Sequence, residues 1–218
     1  MLNRKIDLKN GSFSFSDYFK MNIDVDELVE EFGYRYEKKE ILDRKKRENK
    51  LNYENLKKQL NIALNYINFN NLNSETAIRE FLIAPILLYL LDKFKFKLNS
   101  EKNIYFNDKL RGVLDYYIDN KKNSLIIIEA KNMDMFSGFR QLAMELITLD
   151  KLVEDIDKRI YGVVTIGTEW VFVLLDREKK IIYENSKRYN LPKELDEILE
   201  ILSNIIENKE SSNCKISL

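Results

Sequence analysis

Three side chains between positions 115 and 131 have the types and spacing for phosphate chemistry. Asp115 lies in the apolar segment Val113-Leu114-Asp115-Tyr116-Tyr117-Ile118. Glu129 and Lys131 flank Ala130 at the end of Leu125-Ile126-Ile127-Ile128. Strand side chains alternate, so Glu129 and Lys131 share a side with Leu125 and Ile127, and Asp115 shares one with Val113 and Tyr117. A carboxylate in such surroundings is costly to bury unless something compensates it. A Mg²⁺ or Mn²⁺ ion would do so, with Asp115, Glu129 and the backbone carbonyl of Ala130 as oxygen ligands. Lys131 would then hold or activate the attacking water, or stabilise the pentavalent phosphate. The metal would polarise a phosphoryl oxygen and acidify bound water.

The elements that must position these groups follow from periodicity. Residues 1–22 read as an irregular arm anchored by Phe13, Phe15, Tyr18 and Phe19. A helix is expected after Asp24, where Val25, Leu28, Val29 and Phe32 have helical spacing. The charged run 37–50 reads as a solvated helix or linker, or else as a basic contact surface through Arg44, Lys45, Lys46 and Arg47. A second helix is expected over 53–67. A third, capped by Ser74, runs to about residue 94 with a kink or break near Ala84, because Pro85 falls inside it. The period then becomes strand-like at 103–106, 112–118 and 124–130, the last apolar throughout and therefore central. A helix over 139–154, strands near 161–166, 170–175 and 180–184, and a final amphipathic helix over 193–206 complete an α/β pattern.

The chain has 218 residues, 36 of them basic and 36 acidic, no histidine, and one cysteine, Cys214. Without histidine, Ser-His and Cys-His nucleophiles are excluded, and zinc loses its usual ligands. Catalysis would rest on carboxylates, lysines, hydroxyls and oxygen-bound metal. Zero net charge argues against coating nucleic acid electrostatically. No apolar run reaches the ~18 residues of a membrane span, and no apolar segment follows the N-terminal charges as in a signal peptide. A cytoplasmic protein is expected.

Asp115, a gap, and an apolar strand ending Glu129-Ala130-Lys131 resemble the PD-(D/E)XK nuclease signature. The chain is similar to the N-terminal nuclease domain of type I restriction motor subunits in three further places. Residues 74–87 look like that family's leading helix with its acidic residue. Gln141-Leu142-Ala143 opens the following helix, and Ile166-Gly167-Thr168-Glu169-Trp170 looks like the late hairpin. The chain also resembles small stand-alone bacterial relatives. The likeness spans about residues 70–185; Leu114 stands where the family label has proline.

The resemblance implies a restriction-endonuclease-like core, a central mixed sheet flanked by helices, over 70–218. Residues 1–69 would form an arm and helical extension, of which the charged helices over about 24–69 would serve as a dimer contact or lid. It implies a Mg²⁺- or Mn²⁺-dependent nuclease acting on nucleic acid, DNA in preference to RNA, in restriction, defence or repair, alone, as a homodimer or with a partner protein. Gln141 would contact the attacking water, the substrate or the lysine; otherwise it is an exposed helical glutamine. The helix carboxylate at the metal would be Glu75 or Glu80, which are ~140° apart on a helix, so only one can face the site. Glu75 is favoured because Arg79, four residues on, can orient it or meet a phosphate; otherwise it is a helix-start carboxylate. Arg140 would be solvated or phosphate-bound. A second hypothesis is a non-catalytic nucleic-acid- or partner-binding module on the same fold.

Overall fold

The computed structural model describes residues 11–42, 51–67, 74–119, 124–129, 134–153 and 158–207, with 67 and 124–129 described by backbone alone. The basic run 44–47, the break 68–73, the turn 120–123 and Cys214 lie outside these residues. Ser14 opens α1 (Phe15–Lys20), its N–H and hydroxyl donating to Asp17 Oδ2 at 2.7 and 2.6 Å. The expected irregular arm is therefore helical here, and it buries Phe15 and Tyr18 completely. α2 (Val25–Glu30) buries Val25, Leu28 and Val29 at the expected spacing.

The charged run behaves differently from expectation. Arg35–Lys39 is a strand, β1, paired in parallel with β7 (Ile181–Asn185). Charged residues survive there because Glu184 on β7 accepts from Tyr36 Oη at 2.5 Å and from Lys38 Nζ at 2.6 Å. The described part of residues 1–69 is thus no separate extension: β1 belongs to the sheet, and α1 packs against the long helix α6 (Met135–Leu152).

α3 (Glu54–Ile67) forms as expected. Residues 75–94 are helical throughout but change pitch. α4 (Glu75–Ile78) passes into a π-helical turn, Arg79–Ile83, and then into α5 (Ala84–Phe94). Pro85 has no N–H to donate, and the register slips just before it: Ala84 N–H donates to Arg79 O, five residues back. The expected break at Ala84 is this slip.

The sheet has eight strands among the described residues. The order is β1-β7-β6-β5-β4-β3-β2, from β2 (Lys97–Asn107), β3 (Leu110–Asp119), β4 (Ser124–Glu129), β5 (Arg159–Thr165), β6 (Glu169–Asp176) and β7; β8 (Tyr189–Asn190) pairs with β6. It is mixed: β4–β5 and β1–β7 are parallel and the other pairs antiparallel. β4 lies inside the sheet, as its apolar run implies. The strands bury one layer under α1, α2 and α6 (Val164, Val171, Val173) and the other under α3, α5 and α7 (Leu195–Ile206), where Val163, Trp170 and Phe172 sit. The fold is α/β, a mixed sheet flanked by helices. No helix of the described residues is long and apolar enough to cross a membrane.

Two glycines set the depth of the helices. At Gly162 on β5, a Cβ would lie 2.9 Å from Leu142 of α6, so a side chain there would lift α6 off the sheet. Gly167, in the turn before β6, has φ +84° and Ile78 2.4 Å from where a Cβ would stand. Left-handed strain and overpacking together give an expected loss of about 2–4 kcal/mol for Gly167→Ala, read from urea unfolding. A loss below about 1 kcal/mol would show that α4 yields freely.

Candidate functional site around Asp115

Asp115 stands where the sheet changes its pattern. The β3–β4 ladder begins at Tyr116↔Ile127 and runs away from Asp115, so Asp115 and Glu129 both fall just past its end. Glu129 is in backbone register with Thr165 of β5. On the other side, β2 and β3 stay paired, with Glu101 opposite Asp115 between the pairs Ser100↔Tyr116 and Lys102↔Leu114. Glu101 has φ +51°, a left-handed conformation rare for a side chain of its size.

The alternation slips at this point. Leu110, Leu114 and Tyr117 all pack in the α6 layer, whereas Tyr116 and Ile118 pack in the opposite one. Leu114 and Tyr117 are three residues apart, so one position of the two-residue period is lost between them. The expectation that Asp115 shares a side with Tyr117 therefore fails. Asp115 is met instead from the opposite layer, by Arg79 of the π turn. Arg79 Nη1 lies 3.5 Å from Asp115 Oδ1, and Nη2 lies 3.4 Å from Glu101 Oε1. The guanidinium is also 5.4 Å from the Tyr116 ring, whose hydroxyl donates to Arg79 O. A left-handed Glu101 thus lies opposite Asp115, and positive-φ side chains of this kind are enriched at functional sites.

Arg79 reaches the sheet from the π turn, where it meets Asp115 and Glu101. Glu75 opens α4 and is partly buried, whereas Glu80 is exposed on the π turn.

α6 adds a second wall. Asp134 caps it by accepting from Ser137 N–H at 3.0 Å. Gln141 is buried, not an exposed helical glutamine, and its Nε2 donates to Glu145 Oε1 at 2.9 Å. Glu145 was not anticipated. It is 0% exposed, lies between Met144 and Leu146, and its Oε2 has no hydrogen-bond partner among the described residues. Burial pushes its carboxyl well above the usual carboxylate range; the Gln141 bond opposes this and the charge of Asp115 adds to it. The available signal was a glutamate four residues after Gln141 inside an otherwise apolar helix face.

The sign of the resulting pH effect is definite. A raised folded-state pKa gives stability that is complete below the unfolded value, about 4.3, and is lost as pH rises through the folded one. Glu145→Gln stays neutral throughout. Its stability relative to the wild type should therefore grow on going from pH 4.5 to pH 8, measured by urea unfolding in EDTA. Parallel pH profiles for the two proteins would refute the burial argument.

Other anticipated residues turn out structural. Arg140 is buried and donates to Tyr18 O, Phe19 O and Ser137 Oγ, which pins α1 to α6. Tyr116 and Tyr117 pack in the sheet, and Trp170 is core with Nε1 donating to Gly167 O. Ala130 and Lys131 lie outside the described residues, as does the side chain of Glu129. Among the described residues, no group of three or more Asp, Glu, Cys or His side chains could hold a metal ion. The donor present at Asp115 is a hard oxygen, the kind that Mg²⁺ and Mn²⁺ select.

No protein-family model matches the chain, and no curated protein matches it. A cryo-EM structure of a DrdV–DNA complex is similar over 73% of this chain and 14% of that one, with a TM-score of 0.39 and 11% identity.

Proposed function

We propose that the protein is a metal-dependent phosphodiesterase acting on nucleic acid, on a restriction-endonuclease-like core. The observation that carries this reading is the convergence at Asp115. Arg79 arrives from the π turn and Glu101 from β2, beside the end of the β3–β4 ladder, just past which Asp115 and Glu129 lie. Clustered carboxylates and backbone strain at one place are what a reactive site collects.

In this reading Asp115, Glu129 and the Ala130 carbonyl hold Mg²⁺ or Mn²⁺, with Glu75 as a further candidate. When bound, such a cation polarises a phosphoryl oxygen and acidifies a water. Arg79 keeps the Asp115 carboxylate in place and neutralises part of the charge that would repel a phosphate. Lys131 supplies positive charge where it develops on the phosphate. DNA is the substrate favoured over RNA.

The test is a Mn²⁺-supplemented assay on single- and double-stranded DNA and RNA, with Lys131→Ala as control. Metal-dependent cleavage that vanishes in the variant supports the reading. Binding of a nucleic acid without cleavage would replace it with a binding module on the same fold.

A further inference from the structure

We infer that the outer face of the β2–β3 ribbon tracks a single strand of nucleic acid to Asp115, with the Tyr105 ring stacked on an unpaired base and the Arg111 guanidinium on a phosphate. The inference rests on the proposed nucleic-acid reading and deepens it by naming a single strand as the substrate. It does not depend on a metal.

β2 and β3 run on together as a two-stranded ribbon past the described end of β4, which pairs with β3 from Tyr116 to Asp119. Side chains along the ribbon alternate between its two faces. Ile104, Leu110 and Leu114 turn inward, into the layer of α1, α2 and α6. Phe15 of α1 lies against Gly112, 2.6 Å from where a Cβ would stand. Tyr18 Oη donates to Lys109 O at 2.8 Å, and Phe13 N–H donates to Asp108 O at 2.7 Å. The ribbon is thus held from behind by α1 and the residues before it.

Its other face is open. The outward positions are Asn103 and Tyr105 on β2 and Arg111 and Val113 on β3, all exposed. Backbone register sets Tyr105 opposite Arg111 and Asn103 opposite Val113, and Glu101 and Asp115 come next in the same row. Arg111 and Asp115 are four positions apart on β3, about 13 Å along a strand. The row therefore leads straight out of the candidate site. Tyr105 is 61% exposed, although a ring of its size gains by burial. Its hydroxyl donates to Asp108 Oδ1 at 3.1 Å, and Arg111 Nη2 donates to Ser12 Oγ at 3.1 Å, which orients both side chains. Residues 102–113 carry Lys102, Lys109 and Arg111 against Asp108 alone, on a chain whose charges cancel. That local excess attracts phosphate. An exposed ring beside a guanidinium suits a single strand, because every base has a face to stack on and the cation meets the backbone. In a duplex the neighbouring bases cover those faces.

The experiment follows the fluorescence anisotropy of a labelled oligothymidine strand, and of a labelled DNA duplex, as the full chain is added in EDTA. Tyr105→Ala should weaken single-strand binding about 5- to 100-fold, the effect of losing one base stack, and duplex binding by less than about twofold. Tyr105→Phe keeps the ring and should bind like the wild type. Arg111→Ala should lower the slope of log affinity against log salt by about 0.7, one phosphate contact on a single strand. All three variants should melt with the wild type, because both side chains are exposed.

Wild-type single-strand affinity in Tyr105→Ala overturns the inference, and so does a salt slope that Arg111→Ala leaves unchanged. Equal losses on strand and duplex also overturn it, because an unpaired base would then not be the contact. A Tyr105→Phe protein as weak as Tyr105→Ala overturns it too, since the hydroxyl and not the ring would matter. Absence of single-strand binding by the wild type overturns it as well; if light scattering then shows a dimer that Tyr105→Ala loses, the face belongs to a second copy. Cleavage separates it from the wider reading. A wild type that cuts with Mn²⁺ while Tyr105→Ala and Arg111→Ala bind normally leaves the nuclease reading standing. The expected binding pattern without any cleavage leaves the inference standing and removes the nuclease.

Discussion

Asp115→Ala should abolish metal-dependent cleavage, with a fall of about 10³-fold or more in rate, the scale on which single groups acting on transition-state charge are felt. The variant removes the proposed metal ligand and also the Asp115 partner of Arg79, which keeps Glu101. Cleavage should therefore fail through loss of Mn²⁺ binding, which calorimetry reads directly. Lys131→Ala should fail differently. In the proposed mechanism its charge acts mainly on the chemical step, so Mn²⁺ binding and the fold should persist while cleavage drops by a similar factor. Gln141→Ala should lose less, because a neutral amide positions more than it activates. A Lys131→Ala protein that cuts as fast as the wild type would assign the activity to another site or to a contaminant.

The largest stability effect is expected far from this site. Asp150, near the end of α6, has a side chain 1% exposed. Its carboxylate accepts from Arg177 Nε at 2.7 Å, Lys180 Nζ at 2.5 Å and Tyr34 Oη at 2.5 Å. Arg177 also donates to Asp150 O and Val153 O, closing the C-terminus of α6. One carboxylate thus joins α6, the residue before β1 and the β6–β7 turn. Burial alone would raise its pKa; the bonds from Lys180, Tyr34 and Arg177 outweigh this and hold it below the usual carboxylate range.

Removing the acceptor strands buried donors and a cation. Asp150→Ala should cost about 3–5 kcal/mol. For a chain of this size that is a fall of roughly 6–20 °C in melting temperature. The depressed folded-state pKa means that this stability is present above the unfolded value, about 3.9, and is lost as pH falls through the folded one. The gap between wild type and variant should accordingly narrow only in strong acid. A loss below about 1 kcal/mol at pH 7 would show that the network is dispensable.

Much of this architecture could be read locally. α2, α3 and α7 follow from apolar spacing, and Ser74 marks a helix start because its hydroxyl accepts from Ala77 N–H at 3.1 Å. β4 announces itself as an inner strand by its unbroken apolar run. These features depend on neighbours within a turn or a strand, which a sequence displays directly.

Tertiary structure decided what depends on distant partners. β1 reads as a solvated charged segment because its compensation comes from Glu184, far along the chain. The π turn required knowing how Pro85 would be accommodated, and it is this turn that carries Arg79 to Asp115. The face of Asp115 follows from a slipped alternation opposite Glu101, which strict two-residue periodicity cannot show. Glu145 looked like one more charge on a helix. Only the packing of α6 against the sheet turned it into a buried carboxyl whose Oε2 has no partner among the described residues, because burial is a property of the assembled layers and not of the residue's place in the chain.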